Sequence, residues 1–193
     1  MFKFYAPLPY FVEFGGKRYK LTPAYNNVLD MYAALEGDFT DSEQIDIMMS
    51  FLFKGTPPRS IELLNEAIRV LFQSERAQKG QRCFDYIQDS EFIYAAFKQA
   101  YNIDLTKECG KMHWLCFVAL LKGLPGNTKL SEIIQIRVKP LPKPTKYNAE
   151  ERANLLRLKQ QYALKISAKE RHDNLQDGLA KMARCLISMA KNE

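Results

Sequence analysis

Residues 85–105 read DYIQDSEFIYAAFKQAYNIDL, with five aromatic and four acidic side chains interleaved over twenty-one positions. Two readings compete: a site where Asp85, Asp89 and Glu91 converge, or a packing helix that carries acids on its solvated side. Ile93, Phe97, Ala100 and Tyr101 recur at i, i+4, i+7 and i+8 with Ala96 beside them, the apolar stripe of a core-facing helix. Asp85 and Asp89 fall in the first turns, where carboxylates are favoured by the helix dipole. A paired-acid mechanism also needs a cleft and a base or metal, and neither is signalled. The expectation is therefore structural: the acids start and solubilise the helix while the rings hold it down.

Working outward, FVEFGGKRYKL at 11–21 alternates around Gly15-Gly16 and predicts a tight β-hairpin. Helix signals dominate after it. Thr22-Pro23 offers an N-cap and a first-turn proline, with Val28, Leu29, Tyr32 and Leu35 on one face and Gly37 closing the segment. Thr40-Asp41-Ser42-Glu43 is a capping box opening a helix through Ile45, Met48, Met49 and Leu52 to Gly55. A third helix follows Pro57-Pro58 with Ile61, Leu64, Ile68, Leu71 and Phe72, and the polar segment 73–82 reads as a loop. Beyond the quoted helix, a fifth is expected from Thr106 to Lys122, ending at Gly123, and LSEIIQIRV is a short helix or extended piece.

KPLPKP, at 139–144, is an extended connector. After it, Asn148-x-x-Glu151 caps a basic helix with Leu155, Leu156 and Leu158, and Ser167-x-x-Glu170 caps a last one. The predicted architecture is mainly α: a helical domain over 1–138 with a small N-terminal β-hairpin, then a proline-rich connector and basic helical extension over 139–193.

Composition narrows the function. The apolar fraction of 47% and charged fraction of 26% are those of a globular protein. No apolar run approaches a membrane span, and MFKFYAPLPYF lacks a signal-peptide pattern, so a cytosolic chain with no membrane partner is expected. Cys83, Cys109, Cys116 and Cys185 are few and unevenly spaced, and read as reduced thiols. The net charge of +6 arises entirely after residue 138. Arg137, Lys139, Lys143, Lys146, Arg152, Arg157, Lys159, Lys165 and Lys169 give the segment 137–169 a basic bias that could attract a polyanion. Only Tyr147 and Tyr162 interleave it, and no nucleic-acid reader module is present.

On the expected helix Cys109, His113 and Cys116 stand at i, i+4 and i+7 and share one face, and Cys83 could complete a zinc set. A three-ligand helix stripe is a weak metal pattern, and packing is the expected role. With two histidines and no nucleophile elbow or phosphate cradle, no catalytic, cofactor or metal site is assigned. Leu175, Leu179, Met182, Leu186 and Met189 form a heptad stripe too short for an autonomous coiled coil. It must dock on its own domain or on another chain.

Taken together, DYIQD at 85–89, IYAAFKQAYNIDL at 93–105, HWLCFVALLKGLP at 113–125 and IIQIR at 133–137 resemble the bacteriophage gene-product-fifteen family. That family is encoded in the tail-gene clusters of long-tailed phages and prophages of Gram-positive bacteria. The likeness spans about residues 10–164 and is most specific from Asp85 to Pro125. Its motif positions here are Asp85, Tyr86, Asp89, Tyr94, Phe97, Tyr101, Asp104, His113, Trp114 and Phe117. Leu115 stands where the family often has a second Trp, and Cys109 and Cys116 lie outside its pattern.

The resemblance implies a non-enzymatic tail assembly chaperone that keeps the tape measure protein soluble in the host cytoplasm, self-associates along it, and is absent from the virion. Partner-contact candidates are Met48 and Met49, since Met adapts to varied surfaces, and the 175–189 stripe. The alternative is a nucleic-acid-binding phage protein using 137–169.

Overall fold

The computed structural model describes residues 5–37, 39–72 and 83–165. It is mainly helical with a two-stranded antiparallel sheet at the start. β1 (Phe11–Phe14) pairs with β2 (Lys17–Lys20), Val12 facing Tyr19 and Glu13 facing Arg18. Gly15 and Gly16 turn the chain at φ 56° and 71°, the left-handed pair that a two-residue hairpin requires. Seven α-helices follow among the described residues: α1 Tyr25–Ala34, α2 Asp41–Leu52, α3 Ile61–Phe72, α4 Ser90–Tyr101, α5 Trp114–Lys122, α6 Lys129–Val138 and α7 Ala149–Gln161.

α1 does not start at Thr22-Pro23, as its capping pattern suggested. Pro23 accepts from the Trp114 N–H at 2.7 Å and Tyr25 donates its N–H to Met112 at 2.9 Å. This tertiary pairing holds Thr22–Ala24 extended, while the Thr22 hydroxyl donates to the Phe51 carbonyl. α2 opens with the capping box, Thr40 and Glu43 each satisfying the other's backbone N–H. It stops at Leu52, because Phe53 turns extended to bridge Leu21. On α3 the buried row is Leu63, Leu64, Ala67 and Leu71, while Ile61 is 56% exposed. The expected loop at 73–82 lies outside the described residues.

The predicted helix from Thr106 to Lys122 is broken. A single 3-10 turn at Leu105–Lys107 leads to Gly110 at φ 74°, which ends any helical path, and α5 begins only at Trp114. α6 resolves LSEIIQIRV as helix, capped by Thr128 accepting from Ser131. Asn148 does not cap α7. Its side chain folds back onto the proline-rich segment, accepting from Thr145 and donating to Lys143.

The helices pack as neighbours α1·α2, α2·α3, α1·α5, α3·α5, α4·α5, α4·α6 and α6·α7, with β1 against α3. Their shared core is aromatic at its centre. Phe117 stacks on Tyr25, Phe97 and Trp114 at centroid separations of 4.9, 5.2 and 5.6 Å, and Tyr86 leans on Trp114 at 5.4 Å. Such pairs add about 0.5–1.5 kcal/mol each beyond the area they bury. Among the described residues no helix is long and apolar enough to cross a membrane.

Candidate functional site

The motif residues gather into one junction that joins α4, α5 and α6. Asp85 begins it with an Asx turn, its carboxylate accepting from the N–H groups of Ile87 at 2.9 Å and Gln88 at 2.7 Å. That turn aims Asp89 inward at the start of α4. Asp89 is only 1% exposed, so the expectation that these acids solubilise the helix is wrong for it, and Asp85 is buried too. Arg137, on the last turn of α6, meets the Asp89 carboxylate with both terminal nitrogens, at 2.6 and 2.8 Å.

The rest of the guanidinium is also used. Nε donates to the Tyr162 carbonyl at 2.6 Å and Nη1 to the Cys83 carbonyl at 3.2 Å. The planar fork of arginine suits this arrangement, which a single ammonium could not reproduce. Arg137 is therefore not part of a basic surface, as its place in 137–169 suggested. It is a largely buried clamp that ties α6 to three other chain segments, at 83, 89 and 162. The signal was a lone Arg inside IIQIRV, where a charge among apolar positions implies a partner.

The clamp draws the C-terminal end of the described chain onto the body. Lys159 donates Nζ to the Arg137 carbonyl at 2.6 Å. The Tyr162 ring meets Phe92 edge-on, with Lys129 over its face. Gln88 and Lys165 exchange two bonds, the Lys165 N–H donating at 2.7 Å and the Gln88 amide at 3.2 Å. Arg152 donates to the Pro142 carbonyl. Three cations assigned to a nucleic-acid surface, Arg137, Arg152 and Lys159, thus hold backbone carbonyls of this protein.

Most of the remaining motif residues also pack, while Tyr94 is exposed. Phe97 and Phe117 are fully buried, and the Tyr101 hydroxyl donates to Leu120 at 2.9 Å. Tyr94 reaches Asp104 at 3.5 Å, and the Thr106 hydroxyl donates to Asp104 at 2.6 Å, holding that carboxyl below its usual range. His113 caps α5: Nδ1 accepts the Leu115 N–H at 3.1 Å, which leaves the proton on Nε2 for the Pro9 carbonyl, also at 3.1 Å. Burial pushes its pKa down, the Pro9 bond opposing weakly.

Both ring nitrogens of His113 are thereby occupied, and Cys109 precedes α5 beside Tyr25, so the cysteine–histidine stripe does not form. Among the described residues no three His, Cys, Asp or Glu side chains are grouped to hold a metal.

Of the partner-contact candidates, Met49 is buried in the core and Met48 half-buried against it, so both thioethers face inward. Leu175, Leu179, Met182, Leu186 and Met189 lie outside the described residues. An apolar recess on the described surface is a groove of about 280 Å³ between α6 and α7. Ile136, Leu155 and Leu158 line it, and Glu132, Lys139 and Glu151 bring both signs of charge to it.

What the fold and junction define is a helical packing body with a groove between α6 and α7. The sequence pattern of the family described as Bacteriophage Gp15 protein matches residues 4–164. The chain belongs to this bacteriophage family. Comparison with curated proteins and with solved structures returns no match.

Proposed function

We propose that this phage protein is a non-enzymatic tail assembly chaperone that binds the tape measure protein in the host cytoplasm and leaves before the virion is complete. Family membership over residues 4–164 is the observation that carries the reading. The physical case rests on the client: a very long helical chain aggregates unless its apolar faces are covered. Many weak contacts along it give avidity without a tight single site, and permit release. The α6–α7 groove suits one row of apolar side chains from such a helix, with rims of mixed charge to steer its register. The 175–189 stripe is a second contact in this proposal.

The test is co-purification of the tape measure protein with wild-type chain and with Ile136→Ser/Leu158→Ser. The pair should lower client recovery several-fold while the melting temperature stays close to wild type. Undiminished recovery with the folded double variant overturns the groove as the client surface.

A further inference from the structure

The two helices that wall the groove run antiparallel. Lys139 and Glu151 face each other at 4.0 Å at one end of the pair, and at the other Lys129 lies over the Tyr162 ring. Leu155 at its floor is buried, Ile136 and Leu158 are half-buried, and Gln135 and Asn154 stand exposed on the α6 and α7 rims. The described chain leaves the body beside the Lys129 end. Lys165, three residues past Tyr162, is pinned there by its N–H on Gln88 at 2.7 Å and by the Gln88 amide on its carbonyl at 3.2 Å.

Nine positions, 166–174, separate that anchor from Leu175. Extended, they span up to about 30 Å. The thirteen residues of α7 are roughly 20 Å long, so the tether can bring the next stretch to either end of the groove. That stretch, LQDGLAKMARCLISM at 175–189, lies outside the described residues. Wound as a helix, it would place Leu175, Leu179, Met182, Leu186 and Met189 in one row. Among the positions flanking that row, Gly178, Ala183 and Cys185 are small, while Asp177, Lys181 and Arg184 fall on the opposite side. A narrow apolar row with small flanks and a charged back fits a recess walled by two helices and open to water.

We propose that residues 175–189 dock in the α6–α7 groove of their own chain and cover it until a client helix displaces them. Two heptads hold too weakly as a free peptide, but a nine-residue tether raises their local concentration to about millimolar. Covering the recess keeps its apolar floor from unselective contacts. Displacement frees the stripe at the moment the client arrives. The docking stands on the groove and the tether alone, and only the masking of the client site rests on the function proposed above.

The full chain with Cys83→Ser, Cys109→Ser and Cys116→Ser keeps Cys185 as its one thiol. Gln135→Cys or Asn154→Cys then adds a second thiol on one rim or the other. Glu91→Cys, exposed on α4 one turn from Gln88, gives a control near the tether but off the groove. Under mild oxidation at least one rim thiol should form a disulfide with Cys185 about tenfold faster than the control, within one chain and at a rate independent of protein concentration. Leu179→Asp/Met182→Asp should erase that preference. Should the serine chain melt early, Cys116→Ala replaces Cys116→Ser. The oxidised rim variant should recover several-fold less client than its reduced form. Equal rates at rim and control, or disulfides that form only between chains, would overturn the docking, and undiminished client recovery by the oxidised chain would overturn the masking. If the reduced chain recovers no client, the chaperone reading fails, while rim-selective cross-linking still upholds the docking.

Discussion

At Arg137 a single side chain carries bonds that sequence position alone assigned to the surface. Removing it leaves the Asp89 carboxylate buried, where an unpaired charge costs about 3–5 kcal/mol. Arg137→Ala should therefore unfold at a markedly lower denaturant midpoint, and Arg137→Lys should recover only part of the loss because it cannot fork. A midpoint within experimental error of wild type would remove the clamp from this description. His113 supplies a second residue-level prediction. Its folded pKa lies below the unfolded value of about 6.5, so its contribution is fully present above that pH. It is lost as the pH falls from there through the folded value, because the unfolded chain takes up a proton that the native ring resists. Melting temperatures at pH 7.5 and 5.5 should show a drop in wild type that is reduced in His113→Asn, which keeps a capping side chain. Equal drops in both would assign the acid sensitivity elsewhere. Single residues were partly legible: Phe97 and Phe117 declare themselves by period and type. Asp89 and Arg137, forty-eight positions apart, meet only through a packing that no local pattern encodes.

Elements were legible where local chemistry is self-sufficient. Gly15-Gly16 closes a hairpin on its own terms, and Thr40 with Glu43 caps α2 without help from the rest of the chain. Thr22-Pro23 offered an equally good local start, but the backbone pairing with 112–114 outcompeted it. Gly110 was a break in plain sight, overridden by the apolar run that follows it. α7 is the element most easily separated from the body. Leu155 is its buried residue, and a bond donated by Lys159 and one accepted by the Tyr162 carbonyl add to its attachment. Leu155→Ala should speed amide hydrogen exchange across 149–161 at least tenfold, with little change in α4 or α5. Uniform acceleration throughout would mean that α7 opens only with the whole protein.

On the scale of the whole molecule, fold class and family could be read from the sequence, since stripe periods and the 85–125 motif survive without tertiary knowledge. The groove could not, because it exists only once α7 lies beside α6. The uneven charge has also changed meaning: Arg152 and Lys159, part of the C-terminal excess, hold backbone carbonyls of this protein. The chaperone reading requires that this body shield another chain rather than transform a small molecule. Co-expression with the tape measure protein, followed by quantitation of client in the soluble fraction and in the material that co-purifies, addresses that requirement directly. Soluble client that elutes with the chain is the predicted result; client that stays insoluble and unbound, with the chain itself soluble and folded, would contradict it.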